Sequence, residues 1–157
     1  MRCAKASGAP GAPTDPMWGS GALVVDTSAW SRGHRPEVRG AWVDALLGDR
    51  VRLSPAVKLE ILLSAQDGER FDATQEELGV LRTAPLSSSV LHTAEVSMRA
   101  LAHSSAGAHR IPIVDYLVAA AAQEINATVL HYDADYDVLA EVMDFESAWL
   151  APAGSLP

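Results

Sequence analysis

Leu23-Val24-Val25-Asp26-Thr27-Ser28 is the stretch whose reading decides the fold. Three apolar residues run directly into a carboxylate and two hydroxyls, and Gly19 and Gly21 stand just before them. A short apolar run of this kind suits a strand, here over 21–26, buried on both faces of a sheet. Asp26 then stands at the carboxyl end of that strand. Open parallel α/β sheets place their ligands at this edge.

Outward from this strand, helical and extended patterns alternate. The spacing predicts a helix from Pro36 to Gly48, with Val38, Trp42, Ala45 and Leu46 recurring at helical intervals. Val51–Leu53 reads as a strand, and Ser54-Pro55 as a cap followed by the first residue of a second helix. Helices are expected over Asp72–Arg82, Val90–His103 and Asp115–Ile125, with a short one ending near Met143. Further extended pieces are expected at Ala84–Leu86, Thr128–His131 and Ala148–Leu150, and loops at Thr27–Arg35 and Ser104–His109. Strands alternating with helices favour the α/β class with a parallel sheet.

The chain has 157 residues, enough for one domain with a substantial core. A single cysteine, Cys3, allows no internal disulfide, which fits a reducing cytoplasm. No stretch approaches the roughly 20 apolar residues of a membrane helix. Residues 1–20 are broken by five glycines and prolines before Met17 and lack the apolar core of a signal peptide. They read as a flexible extension, or as the product of an upstream start codon with the start near Met17. Residues 21–151 are expected to form the domain and 152–157 a tail. The net charge is −8, unevenly spread. All 12 Lys and Arg lie before residue 111, whereas 8 of the 20 acids lie after it. An acidic half of this kind suits a cation site, a basic partner or simply a solvated face, and argues against sequence-reading DNA binding.

Four acids stand where acids are costly. Asp26 ends an apolar strand, Glu60 interrupts the run Val57–Leu63, Asp115 opens a helix after Ile111-Pro112-Ile113-Val114, and Asp133 follows the strand Thr128–His131. Each has an ordinary alternative taken singly: a turn, a helix N-terminal acid or a solvent-facing position. Together they are harder to dismiss. Two carboxylates 4 Å apart repel by about 4 kcal/mol at an effective dielectric near 20. A convergent set would therefore need protons or a cation, and hard divalent ions prefer oxygen ligands of this kind.

Leu23–Ser28 is similar to the opening strand of PIN-domain ribonucleases. Ser54–Leu62 resembles their second block, which carries a glutamate, here Glu60. Ile113–Ala120 resembles the third, an aspartate opening an alanine-rich helix. Val129–Asp137 resembles the fourth, Asp-x-Asp-Phe, with Tyr136 in place of Phe. The likeness spans about 21–151, and the nearest subgroup is the VapC toxins of toxin–antitoxin pairs. It implies a PIN-like α/β/α sandwich with a central parallel sheet, a homodimer, and Mg²⁺-dependent (or Mn²⁺-dependent) RNA cleavage. By position it implies Asp26, Glu60, Asp115 and Asp133 as catalytic acids. Asp26, Asp115, Asp133 and, in a secondary place, Asp135 would be the metal ligands. Thr27 or Ser28 would orient Asp26 or a water. Arg32, His34 and Arg110 are candidates for RNA phosphate contact. A cognate antitoxin with a basic segment would neutralise the site. The competing expectation is a catalytically silent PIN scaffold that binds RNA or protein, and the broader family also allows cleavage of DNA flaps.

Other motif readings fare worse. Asp133-x-Asp135-x-Asp137 begins like a calcium loop, but Val138 stands where glycine is needed and Asp144 where glutamate is. A receiver-type phosphoacceptor needs a lysine that the chain after residue 110 lacks. The five histidines are scattered and one cysteine cannot build a thiolate zinc site.

Overall fold

The structure, a computed structural model, describes residues 17–157. Five strands form one sheet: β1 (Leu23–Val25), β2 (Val51–Leu53), β3 (Arg82–Thr83), β4 (Thr128–His131) and β5 (Glu146–Trp149). Their order is β3-β2-β1-β4-β5, and every neighbouring pair is parallel. β1 lies at the centre, with Leu23 opposite both Val51 and Thr128. Its three residues are fully buried, each stabilising the fold by about 1.5–3 kcal/mol.

Successive side chains of a strand point to opposite faces, and β1 fills both. Val24 packs with Val57, Leu101, Tyr116 and Val129 on one side. Leu23 and Val25 pack with Trp42, Ala45, Leu130 and Leu150 on the other. The first layer holds α3 (Pro55–Leu63), α5 (Ser88–Ser104), α6 (Ile113–Ile125) and α7 (Asp135–Leu139), and the second holds α2 (Arg39–Leu47). Two further helices, α1 (Thr27–Trp30) and α4 (Gly68–Gly79), complete the chain. This is the expected α/β/α sandwich.

The topology fixes where a site can lie. The chain runs from β1 outward to β2 and β3, then returns to set β4 on the other side of β1. That reversal is a switch point, and it opens a crevice beyond the carboxyl ends of β1 and β4. Asp26 and Asp133 follow those two ends.

Several boundaries differ from the sequence reading. Thr27–Trp30 is a helical turn rather than loop, because Asp26 caps it by accepting from the Ser28 N–H. Pro36 lies in a turn, and α2 starts only at Arg39. Helix α4 starts at Gly68, where Asp67 accepts from the Arg70 N–H at 2.8 Å, and ends at Gly79. The edge strand β3 is Arg82–Thr83 rather than Ala84–Leu86, since Pro85 has no N–H for a ladder. Helix α6 begins at Ile113, which puts Asp115 in its first turn rather than at its start. Strand β5 begins at Glu146, ahead of the apolar Ala148-Trp149 pair.

The expected extension over 1–20 falls mostly outside the described residues. Within them, Trp18 is buried against Leu23, and the Arg50 guanidinium donates to the carbonyls of Trp18, Gly19 and Gly21. At the other end, Leu156 is also buried, and its N–H donates to the Tyr132 hydroxyl at 2.7 Å. Packing therefore continues on both sides of 21–151. Among the described residues no helix is long and apolar enough to cross a membrane.

Candidate active site

Asp26 is buried at the mouth of the crevice. Its Oδ2 accepts from the Ser28 N–H at 3.0 Å and from the Ser28 hydroxyl at 2.5 Å. The same hydroxyl oxygen accepts from the Tyr132 N–H at 2.9 Å. Ser28 thus ties the end of β1 to the end of β4 and fixes the Asp26 carboxylate between them. Next to it the Thr27 hydroxyl donates to Glu60 Oε2 at 2.6 Å, drawing the helix α3 acid toward the same edge.

Asp133 turns back on its own loop: its Oδ1 accepts from the Asp135 N–H at 3.0 Å, an Asx-type turn. Its N–H donates to His131 Nδ1 at 3.3 Å. His131 is fully buried, with ring centroids 4.8 Å from Tyr136 and 5.0 Å from Trp149. Burial holds this imidazole below its ordinary pKa, so it is a neutral acceptor here.

Asp115 reaches the crevice from the first turn of α6. Its Oδ1 accepts from the Tyr136 hydroxyl at 3.5 Å, while its Oδ2 is buried without a partner. Its pKa is pushed up to about 8, first by burial, then by the charges of Asp26, Asp133, Asp135 and Glu60. The other four acids therefore all act on Asp115 electrostatically. Asp135 is raised as well, by burial and then by Asp133.

Within this group, Asp115, Asp133 and Asp135 each bring a carboxylate oxygen within 4.8 Å of the others. Asp26 and Glu60 stand beside that trio rather than in it. The donor set is all hard oxygen, and Asp115 carries a buried oxygen without a hydrogen-bond partner. Such a set fits a divalent cation such as Mg²⁺ or Mn²⁺.

The basic candidates separate. Arg32 donates to the Ser28 carbonyl at 3.1 Å and lies 5.0 Å over the Tyr132 ring, beside the acids. His34 and Arg110 are exposed, with no hydrogen bond or ion pair to the acids. Sequence reasoning did not single out His131 or the hydroxyl of Tyr136. A histidine directly after the apolar pair Val129-Leu130 was the available signal.

An α/β sandwich with acids gathered at the switch point of its parallel sheet defines a class, and the chain belongs to the PIN domain family, whose sequence profile matches residues 23–142. Ribonuclease VapC18 of Mycobacterium tuberculosis is 38% identical over 135 residues, covering 85% of this chain and 98% of the relative. Ribonuclease VapC51 of the same organism is 32% identical, covering 85% and 96%. Among solved structures, DNA-bound VapBC from Salmonella typhimurium superposes with a TM-score of 0.65 at 10% identity, covering 84% of this chain and all of that one. VapBC-5 from M. tuberculosis does so with 0.60 at 24%, covering 83% and 99%. At these identities the two structures share the fold.

Proposed function

We propose that this chain is an endoribonuclease toxin that hydrolyses RNA phosphodiester bonds with a divalent cation and is held in check by an antitoxin. The observation that carries the reading is the gathering of Asp115, Asp133 and Asp135, with one buried Asp115 oxygen left unpartnered, in a chain whose relatives are named ribonucleases.

Asp115, Asp133 and Asp135 would hold the cation, with Asp26 at its border. When bound, a cation of this type acts as a Lewis acid on phosphate oxygens and makes water a better nucleophile. The chain's own groups supply position. Ser28 fixes Asp26 and Thr27 fixes Glu60, which leaves two oriented carboxylates to accept a proton from an attacking water. Arg32, fixed beside Asp26 by Ser28 and Tyr132, stands where an RNA phosphate can pair with it. In-line attack leaves a 5′-phosphate and a 3′-hydroxyl.

Structures of VapBC complexes with this fold support an antitoxin partner. A largely apolar groove between α2 and the end of α4, lined by Leu46, Leu47, Val80 and Leu81 with Asp49 and Glu77 beside them, offers an antitoxin helix a seat. A basic antitoxin side chain reaching the acids would pair with them in place of the cation. A homodimer in the cytoplasm completes the reading.

Cleavage of single-stranded RNA by purified protein tests it. EDTA abolishes cleavage, and excess Mg²⁺ or Mn²⁺ restores it with 5′-phosphate ends. Cleavage that continues unchanged in EDTA overturns the mechanism. RNA binding without cleavage under any divalent ion identifies a silent scaffold instead.

A further inference from the structure

We propose that Tyr136 is a positioning residue: its buried hydroxyl, which donates to Asp115 Oδ1, steers that carboxylate so that Oδ2 is the oxygen offered to the cation. The proposal rests on the divalent-cation reading of the site.

Tyr136 is fully buried, and its ring is clamped by His131 at 4.8 Å and Phe145 at 6.5 Å. The hydroxyl cannot swing to water. A buried phenol must find an acceptor, and the one it reaches is the Asp115 carboxylate. The hydroxyl lies 3.5 Å from Asp115 Oδ1. At 3.5 Å the contact is at the long limit of a hydrogen bond.

The two oxygens of Asp115 consequently differ. Oδ1 has a donor beside it, and Oδ2 is buried with none. Hydrogen bonding to one oxygen of a ligating carboxylate sets the direction of the other, and such partners typically affect metal affinity 10- to 100-fold. The hydroxyl also joins two elements: α7 that carries it and α6 that carries Asp115. It does so without adding a charge. Phenylalanine would fill the same space and lose only the donor.

The test compares wild-type protein and Tyr136→Phe, both stripped of metal and titrated with Mn²⁺ while free Mn²⁺ is followed by electron paramagnetic resonance. Mn²⁺ binding is expected to weaken about 10-fold in the variant. The metal-free melting temperature is expected to shift by less than about 4 °C. A purely structural role would lower the melting temperature and leave Mn²⁺ affinity alone. Equal affinities, within about twofold, overturn the role of Tyr136 and leave the cation site standing. A wild-type chain that takes up no Mn²⁺ overturns both.

Discussion

Asp115→Asn is expected to make the metal-free protein more stable while abolishing its cleavage of RNA. The two effects share one cause. Asp115 is a carboxylate held among four others at a buried edge, and its pKa is raised to about 8 against an ordinary 3.8. At neutral pH the folded chain must keep a proton there that the unfolded chain has released, or carry the charge. Either way the folded state is disfavoured, and by linkage the cost at pH 7 approaches about 4 kcal/mol. Water at the mouth of the crevice screens part of this, leaving about 3 kcal/mol. An amide of the same shape carries no charge and removes the cost. For a domain of this size, a rise in melting temperature of roughly 6–12 °C follows. The same amide is a poor ligand for a hard cation, so cleavage is expected to fall by at least about 100-fold. Differential scanning calorimetry in EDTA and an RNA cleavage assay check the pair. A variant that is less stable and equally active contradicts the electrostatic reading of the site.

The second large effect is the dependence of stability on pH, and of the cation's contribution on pH. A raised carboxylate pKa means that between the unfolded and folded values the folded state binds more protons. Stability from Asp115 is therefore fully present below about pH 4 and is lost as pH rises through about 8. Asp135, also raised, acts with the same sign. His131 acts oppositely: its imidazole is held below the ordinary 6.5, so its contribution is present above 6.5 and lost as pH falls through its folded value. The Asp115 effect is thus read cleanly between about pH 6.5 and 8. Over that range the metal-free protein is expected to lose about 1–2 kcal/mol, a fall of roughly 3–6 °C in melting temperature. Protons and cation compete for the same oxygens, so the stabilisation given by added Mg²⁺ is expected to grow over the same range. Thermal melts at several pH values, with EDTA and with Mg²⁺, separate the two curves. Curves that stay parallel contradict a cation held by Asp115.

Much of the frame was legible before the structure. The run Leu23–Val25 is apolar without alternation, which is how a doubly covered central strand looks, and Thr128–His131 repeats the pattern. Two such strands, each followed within two residues by an aspartate, specify one edge. The helix starts were legible where a side chain caps, as at Ser54, and misread where the cap lies outside the apolar pattern, as with Asp67 ahead of Gly68. Strand β3 was misplaced because two exposed residues carry no hydrophobic signature.

The site divides the same way. The acids could be named because a carboxylate in an apolar run is costly. Their arrangement could not, because it depends on how α6 and α7 meet the sheet. Asp133 and Asp135 are two residues apart and come together through a local turn. Asp115 joins them only through the packing of α6. The hydroxyl of Tyr136 and the acceptor nitrogen of His131 gain meaning only from what surrounds them in three dimensions.

The most direct measurement is the anomalous scattering of Mn²⁺ in crystals of the metal-loaded protein. A peak is expected in contact with carboxylate oxygens of Asp115, Asp133 and Asp135, including Asp115 Oδ2. A peak elsewhere, or none at saturating Mn²⁺, contradicts a cation site built from these acids.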